Sequence, residues 1–236
     1  YFSDSSVKHE HEVFKSKYCK NRLFSYAYKS TIKRLFAIYV DLYEQGKVDF
    51  KEVSLMIDSG AYSVWNSKGK KPIVIDEYIA FCDKIEKTFA GLFKTIEYVN
   101  LDVIPGQRDR KPTKDELLEA QETSWENFLY ISKRLPNTLA VFHQGDEWQY
   151  LDYIEDKTTR YCISPANDRS TKSKLLWLNE VFGKISKDAK PHGLGFSAAN
   201  VSRCNNWFSF DAATHALRAA FGTVVYFNGQ DNMMDI

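Results

Sequence analysis

The fold is decided by the stretch Ser54-Leu55-Met56-Ile57-Asp58-Ser59-Gly60-Ala61-Tyr62-Ser63, in which a short apolar segment ends abruptly in small and polar residues. Similar short segments alternate along the chain with longer segments of helical period, and this alternation is typical of a parallel sheet with crossover helices. Eight such pairs are present, and an added strand is predicted at Thr223–Phe227. The eight predicted strands are Tyr1–Ser3, Leu23–Tyr28, Ser54–Asp58, Tyr98–Asp102, Leu139–Gln144, Tyr161–Ser164, Gly193–Phe196 and Phe208–Asp211.

Helices between these strands are predicted from apolar faces and from capping residues. Two faces combine apolar residues at helical spacing. They are Ile32, Leu35, Phe36, Tyr39, Leu42 and Tyr43 in one helix, and Tyr78, Phe81, Cys82, Ile85 and Phe89 in another. Thr113 with Glu116 and Asp146 with Gln149 resemble capping boxes, and Ser170 and Ser197 are predicted to be N-caps.

Length and composition fit one domain. A chain of 236 residues with 44% hydrophobic residues can bury one large core. Eight strand and helix pairs favour an α/β fold of the (β/α)8 TIM-barrel type over residues 1–236, because an open doubly wound sheet more often stops at five or six strands. The open sheet is the alternative.

Charge, hydropathy and cysteine spacing argue against a membrane protein, a secreted protein and a cysteine-bound metal site. The net charge of +1 does not by itself indicate a polyanion-binding protein. No apolar run approaches the length of a membrane span and no signal-like segment is present, so a soluble cytoplasmic protein is expected. Cys19, Cys82, Cys162 and Cys204 are scattered without metal-ligand spacing, and reduced thiols are expected.

Polar residues follow the predicted strands at their carboxyl ends, where barrels of this type build their sites. Asp58, Asp102 and Asp211 would face one cavity from three strands. Carboxylates placed so close repel one another, and a nucleobase with N–H donors satisfies them better than a metal does, since no HxH or HExxH pattern is present. Each aspartate taken alone is as readily a helix N-cap. A structural role is the default for His143, His192 and His215, and the His9-Glu10-His11 stretch is read as a solvated helix face.

Four motifs in order resemble those of the tRNA-guanine transglycosylase superfamily. Asp58-Ser59-Gly60-Ala61-Tyr62 resembles its DSGGFQ segment, and His143-Gln144-Gly145 resembles VQGG. His192-Gly193-Leu194-Gly195 resembles LMGVG, and Phe210-Asp211 resembles the FDC segment. The chain is most similar to short phage-encoded relatives associated with 7-deazaguanine insertion into DNA. These share segments similar to Tyr98–Gly106, Val141–Gly145 and Ile163–Asp168.

The resemblance implies a role for each matching residue. Asp211 would attack C1′ of the nucleoside and Asp58 would act as acid and base. Asp102, Gln144 and Gly145 would hold the base, and Ser59 and Gly195 are also expected to contact it. Breaking an N-glycosidic bond develops an oxocarbenium-like sugar that a carboxylate can capture, which agrees with these roles. No cofactor is implied, and a free modified base would be the co-substrate.

Departures from the family pattern shift the expected substrate. The zinc-bearing CxCxxC element of the tRNA enzymes is absent, and Ala61 and Ser63 replace a Gly and a Gln. No metal is therefore expected, and DNA is favoured over RNA. A phage-encoded enzyme of this kind would act in the host cytoplasm.

Basic residues cluster in the loops after predicted strands three, four and six, as a phosphate-binding surface requires. The residues expected to bind nucleic acid are Lys68, Lys70, Lys71, Arg108, Arg110, Lys111, Arg169, Lys172 and Lys174. Trp65, Trp148 and Trp207 are candidates for stacking on bases, with core packing as the alternative. A duplex substrate would need base flipping.

Three other functions remain open from the sequence. A glycosylase of the same fold would let water take the sugar intermediate and leave an abasic site. A non-catalytic nucleic-acid-binding barrel would use its aspartates as caps. A metal-dependent hydrolase would bind a divalent ion at the carboxylates.

Overall fold

The computed structural model describes residues 1–3, 20–67, 71–106, 110–166, 169–195, 206–211, 225–227 and 233–235. Within these ranges the strands are β1 (Phe2–Ser3), β2 (Asn21–Ser25), β3 (Ser54–Asp58), β4 (Thr95–Val99), β5 (Thr138–Leu139), β6 (Val141–His143), β7 (Arg160–Ser164), β8 (Lys190–Gly193), β9 (Ser209–Phe210), β10 (Val225–Phe227) and β11 (Met233–Asp235). The α-helices are α1 (Lys29–Glu44), α2 (Ala61–Trp65), α3 (Ile75–Phe89), α4 (Lys114–Ser132), α5 (Trp148–Glu155) and α6 (Thr171–Lys184). Short 3₁₀ helices cover Tyr26–Tyr28 and Phe50–Glu52.

The strands form two parallel sheets and one hairpin. The first sheet has five strands in the order β1-β2-β3-β4-β5, and the second has four in the order β6-β7-β8-β9. Each strand therefore pairs with its neighbour in sequence, and helices α1 to α6 make the described crossovers. The hairpin pairs β10 with β11 in antiparallel register. The fold is a mixed α/β structure, as the alternating pattern predicts.

The two parallel sheets meet at Ala140, the one residue between β5 and β6. Its carbonyl accepts a hydrogen bond from the Cys162 backbone N–H at 2.8 Å, while the Leu139 carbonyl on the other side accepts from the Asn100 N–H at 2.9 Å. At the outer edges, the Tyr1 backbone nitrogen donates to the Phe210 carbonyl at 2.6 Å. Backbone hydrogen bonds thus join the sheets in the middle and link the segment that starts β1 to β9.

Apolar residues on the helix-facing side of the sheets form two clusters. One is built around α1 and α3 and contains Leu35, Tyr39 and Tyr78. The other packs α5 and α6 against β6 and β7 and contains Phe142 and Leu178. In α1 the predicted apolar face is confirmed except for Tyr43, which is 45% exposed. In α3, Tyr78, Cys82, Ile85 and Phe89 are buried, and Phe81 is partly buried against the same cluster.

A third, smaller cluster lies on the other side of the sheets. It takes one residue from each of six successive strands, β2 to β7: Leu23, Met56, Val99, Leu139, Val141 and Cys162. Leu23 and Phe24 are neighbours in β2 but belong to different clusters, as the period of two in a strand requires. Residues from both parallel sheets therefore share one interior.

Several strands begin earlier than predicted, because their first residues are polar and a local pattern of this kind predicts loop. These residues include Asn21 and Arg22 in β2, Thr95 in β4, Arg160 in β7 and Lys190 in β8. The Arg160 guanidinium reaches Glu97 of β4 through Nε and Nη2 at 2.7 and 2.8 Å, and Tyr1 Oη also donates to Glu97 at 3.1 Å. Because the charges of Arg160 and Glu97 neutralise one another, these two residues can occupy strand positions here.

The strand ends also differ from the predicted ones. Strand β2 ends at Ser25 before a 3₁₀ turn, β4 ends at Val99 and β8 ends at Gly193. The predicted fifth strand is divided at Ala140, and β11 was not predicted. Of the predicted added strand, Val225–Phe227 is observed.

Two of the predicted helix caps are confirmed and one is wrong. Thr113 and Glu116 form a full capping box at α4, and the Ser170 hydroxyl accepts from the Ser173 N–H at α6. Helix α5 starts after Glu147, because Asp146 instead accepts the His143 backbone N–H at 2.7 Å. Ser197 lies outside the described residues. None of the described helices is both long enough and apolar enough to span a membrane.

Candidate active site

Asp58 is the last residue of β3, as predicted, and lies beside a tight turn. Its Oδ2 accepts the Gly60 N–H at 3.0 Å. Gly60 adopts φ 81° at the start of α2, in the left-handed region that favours glycine. A Cβ atom on Gly60 would lie 2.6 Å from Cβ and 2.7 Å from the backbone nitrogen of Ala27. Glycine therefore lets the turn after β3 approach the turn after β2 and hold the carboxyl group of Asp58.

The Asp58 carboxyl group is a weaker acid than an ordinary aspartate. Burial, together with the charges of Asp102 and Asp211, raises the pKa of Asp58 to about 7, against the opposing effects of Ser25 and the Gly60 N–H. Both of the other predicted carboxylates thus act on Asp58 electrostatically. A carboxyl group with a pKa close to the working pH can both donate and accept a proton.

Asp102 lies in the loop after β4 and not in the strand, which corrects its predicted place within Tyr98–Asp102. Side chains of α4 hold this loop. The Ser124 hydroxyl accepts the Val103 N–H at 2.8 Å, and the Asn127 amide donates to the Leu101 carbonyl at 2.8 Å. The Asn100 N–H still donates to the Leu139 carbonyl of the neighbouring strand, and the chain leaves the sheet at the next residue.

Asp211 follows β9 directly and is 7% exposed. Its backbone N–H donates to the Gly193 carbonyl at 3.1 Å, and its Oδ1 accepts the Gly195 N–H at 2.9 Å. Gly195, predicted to contact the base, therefore holds Asp211 in this structure. The Asp211 carboxylate is fixed by the turn after β8, with φ 66° at Gly195.

Two histidines that the sequence assigned a structural role contact the aspartates. His192 is fully buried, with Nδ1 2.9 Å from the Ser209 hydroxyl and Nε2 3.4 Å from Asp211 Oδ1. Burial lowers the pKa of His192, so the ring is neutral beside Asp211. His143 Nε2 lies 2.8 Å from Asp102 Oδ2. The sequence signal for these histidines is their position near predicted site residues: His143 directly precedes Gln144, and His192 comes three residues before Gly195.

The other residues predicted to bind the base have varied surroundings. The Gln144 side chain reaches the loop after β7: its Oε1 accepts the Ala166 N–H at 3.2 Å and its Nε2 donates to Ser173 at 3.4 Å. Ser59 is fully buried and its hydroxyl accepts the Ala61 N–H at 3.4 Å. Gly145 adopts φ 125° and is exposed. Gln144 thus links the end of β6 to the loop after β7 and to the start of α6.

The basic residues predicted to bind nucleic acid fall into three groups. Lys71, Lys111, Arg169 and Lys172 are exposed, and Lys174 is partly exposed. Arg110 makes a two-pronged ion pair with Glu116, the acid of the α4 capping box. Lys68, Lys70 and Arg108 lie outside the described residues, as does the His9-Glu10-His11 stretch. Lys172 shares an open hollow of about 370 Å³ with Gln144 and Trp177.

The tryptophans mainly serve packing. Trp65 donates its indole N–H to the Gly106 carbonyl at 3.1 Å, which ties the loop after β4 to α2. Trp148 packs on Phe142 with ring centroids 5.7 Å apart, and Trp207 packs on Phe182 at 4.7 Å. Core packing, the alternative to base stacking, therefore describes Trp148 and Trp207.

Other kinds of chemistry find little support among the described residues. Burial raises the pKa of the Cys82 and Cys162 thiols, which makes them poor nucleophiles. Within the described ranges, no group of three or more His, Cys, Asp or Glu side chains is arranged to hold a metal ion.

A cavity of about 450 Å³, lined partly by Glu97, Thr138 and Arg160, opens at the amino ends of the strands, opposite the aspartates.

Gly60→Ala is expected to lower the free energy of unfolding by about 3 kcal/mol, because the new Cβ meets backbone atoms at a positive φ. Gly91→Ala is the matched control: Gly91 adopts φ 75° with nothing within 4 Å of a new Cβ, so only the conformational cost of about 1 kcal/mol remains. Urea unfolding of both variants measures the difference. If both variants lost the same free energy of unfolding, the contact between the turn at Gly60 and Ala27 would leave room for a Cβ atom, contrary to this prediction.

Asp58 should make the protein less stable as pH rises from about 4 to about 7. The folded-state pKa of about 7 exceeds the ordinary value of 3.8, so in this window the native state holds a proton that the unfolded chain has lost. Asp58→Asn cannot ionise, and the variant should therefore gain about 4 kcal/mol relative to the wild type between pH 4 and pH 8. Urea unfolding at both pH values measures this. If the difference in unfolding free energy between the variant and the wild type were the same at both pH values, the pKa of Asp58 would not be raised.

Comparison of the sequence with protein-family models gave no match, and comparison with curated proteins gave none.

Proposed function

We propose that this chain is a glycosyltransferase of the guanine transglycosylase type, which replaces a guanine in DNA by a 7-deazaguanine derivative. The observation that carries the proposal is the pair of Asp58, whose pKa is raised to about 7, and Asp211, whose carboxylate is held by the Gly195 N–H. One carboxyl group that carries a proton and a second one fixed nearby are the two groups that N-glycosidic bond exchange requires. The resemblance of the motifs around both residues to the transglycosylases adds the reaction type.

In the proposed first step, an oxygen of Asp211 attacks C1′ of the target nucleotide. The bond between C1′ and the base nitrogen breaks, its electron pair goes to the base, and Asp58 donates a proton to the leaving base. An ester between Asp211 and the sugar results. In the second step the incoming base attacks C1′, Asp58 takes a proton from it, and the bond to Asp211 breaks. Both carboxyl groups return to their starting state.

The proposed framework for this site is a closed (β/α)8 barrel. Three observations support closure: the two sheets are separated by Ala140 alone, the Tyr1 nitrogen donates to the Phe210 carbonyl, and six strands contribute to one interior cluster. The Arg160 and Glu97 ion pair, which joins strands of the two sheets, is consistent with this arrangement. In a closed barrel the carboxyl ends of β3 and β9 would face one mouth.

DNA is the proposed substrate because basic residues occupy the loops that follow the strands at the same end as the aspartates. Lys71 and Lys111 are exposed in the segments that follow β3 and β4, and Lys172 is exposed in the first turn of α6, which follows β7. Such residues contact phosphates without reading sequence. The target nucleotide would have to leave a duplex to reach buried carboxylates.

The test is to incubate the protein with guanine-containing DNA, with and without a free deazaguanine base, and to analyse the digested nucleosides by mass spectrometry. We expect the deazaguanine nucleoside to appear in DNA only when the free base is supplied. Abasic sites without incorporation would instead identify a glycosylase. DNA that binds but stays unmodified would favour a non-catalytic barrel, and activity that requires a divalent ion would favour a metal-dependent hydrolase.

A further inference from the structure

His143 lies between two carboxylates at the carboxyl end of β6. Its Nε2 is 2.8 Å from Asp102 Oδ2, and its Nδ1 is 3.5 Å from Asp146 Oδ2. The three side chains are only 10% to 15% exposed. Burial disfavours a charged imidazole, but the hydrogen bonds and charges of Asp102 and Asp146 outweigh it and raise the pKa of His143 to about 10. The protonated ring therefore donates a hydrogen bond to Asp102 and forms an ion pair with Asp146.

Asp146 is held in place independently of the histidine ring. Its Oδ2 accepts the backbone N–H of His143 at 2.7 Å, and the Asp146 N–H donates to the His143 carbonyl at 3.1 Å. The Asp146 carboxylate thus belongs to a hydrogen-bonded turn after β6. This turn fixes one end of the series Asp146, His143 and Asp102. The other end, Asp102, lies in a loop that is held by α4 side chains and, at Gly106, by Trp65.

We propose that His143, backed by Asp146, is a positioning residue that orients Asp102 for recognition of the N–H edge of a guanine-type base. The proposal rests on the proposed function, which assigns base binding to Asp102. In the described part of the chain, Oδ2 of Asp102 is occupied by His143 while Oδ1 has no hydrogen bond to protein. A guanine or 7-deazaguanine carries two neighbouring N–H groups on this edge, whereas adenine presents an acceptor nitrogen there.

The alternative is that His143 only joins the loops after β4 and β6. Either role predicts that loss of His143 lowers stability, since it leaves carboxylates in a buried place without a cation. The two roles differ in base discrimination. A site whose polar groups match a ligand rejects the mismatched ligand strongly, and misaligning one acceptor reduces that preference. The ratio of guanine to adenine affinity therefore separates positioning from a purely structural role.

The experiment is equilibrium dialysis of the whole protein with radiolabelled guanine and adenine. We expect the wild type to prefer guanine. His143→Ala should weaken guanine binding about tenfold or more and leave adenine binding unchanged, because a hydrogen bond to a charged group is lost. Asp146→Asn should have a smaller effect in the same direction. Asp83→Asn, which removes a carboxylate paired with Lys87 on the surface, is the matched control and should match the wild type.

The outcomes separate the positioning role from the proposed function. If the wild type prefers guanine and His143→Ala retains that preference, the positioning role is wrong and the proposed function stands. If the wild type binds no guanine, both are wrong. If His143→Ala fails to fold, His143→Gln replaces it in the test, since Gln keeps an N–H donor but carries no charge. If both His143→Gln and Asp146→Asn kept the wild-type preference for guanine over adenine, the positioning role of His143 and Asp146 would be wrong.

Discussion

Asp211→Asn is expected to reduce base exchange about 10⁴-fold, the largest effect of any single change considered for this protein. An amide oxygen cannot capture C1′ and then leave again as a carboxylate does, so the covalent route is lost. The change keeps the shape of the side chain and an oxygen that accepts the Gly195 N–H. The loss should therefore appear in the rate of radiolabelled guanine incorporation into DNA and not in the unfolding free energy.

Asp83→Asn is the control for Asp211→Asn, since it removes a partly exposed carboxylate on α3 that pairs with Lys87. Its exchange rate should equal that of the wild type. If Asp211→Asn exchanged bases at more than about a tenth of the wild-type rate, Asp211 would not be the nucleophile, and its buried carboxylate would have only a structural role.

Asp58→Asn is expected to reduce base exchange by about 10² to 10⁴-fold, because the leaving base then receives no proton from the enzyme. The wild type should show a matching pH dependence. The neutral acid donates the proton, so kcat/KM should be constant below about pH 7 and fall about tenfold per pH unit above it. Values of kcat/KM measured between pH 5.5 and 9 would show this descending limb of the pH profile.

The residual activity of Asp58→Asn should lack that limb, since the amide that replaces the carboxyl group does not titrate. His143, with a pKa of about 10, keeps its proton over the same range and does not produce a limb there. A wild-type profile without a fall above pH 7, or an unchanged fall in the variant, would assign the proton to another group.

The sequence predicted the order and type of the elements better than their ends. The short apolar strand Ser54–Asp58 and the capping box at Thr113 depend on local physics, and both are as predicted. The starts of β4 and β7 carry an ion pair between Glu97 and Arg160, which joins two strands that are far apart in sequence. A local pattern contains no information about a partner 63 residues away.

The aspartates of the candidate site were predicted, but their surroundings were not. A carboxylate after an apolar strand is a visible signal, and Asp58 and Asp211 are found where that signal places them. The contacts of His143 with Asp102 and of His192 with Asp211 join different strands, so no spacing reveals them. The same holds for Gly195, whose N–H is directed at Asp211 only because the turn after β8 meets β9.

The decisive measurement is mass-spectrometric mapping of the protein after it has reacted with a guanine-containing oligodeoxynucleotide and been denatured before the second step. We expect one covalent adduct, an ester of the abasic deoxyribose with the peptide that contains Asp211, and we expect it to disappear in Asp211→Asn. An adduct on Asp58 or Asp102, or efficient base exchange with no adduct at any time point, would contradict the proposed mechanism.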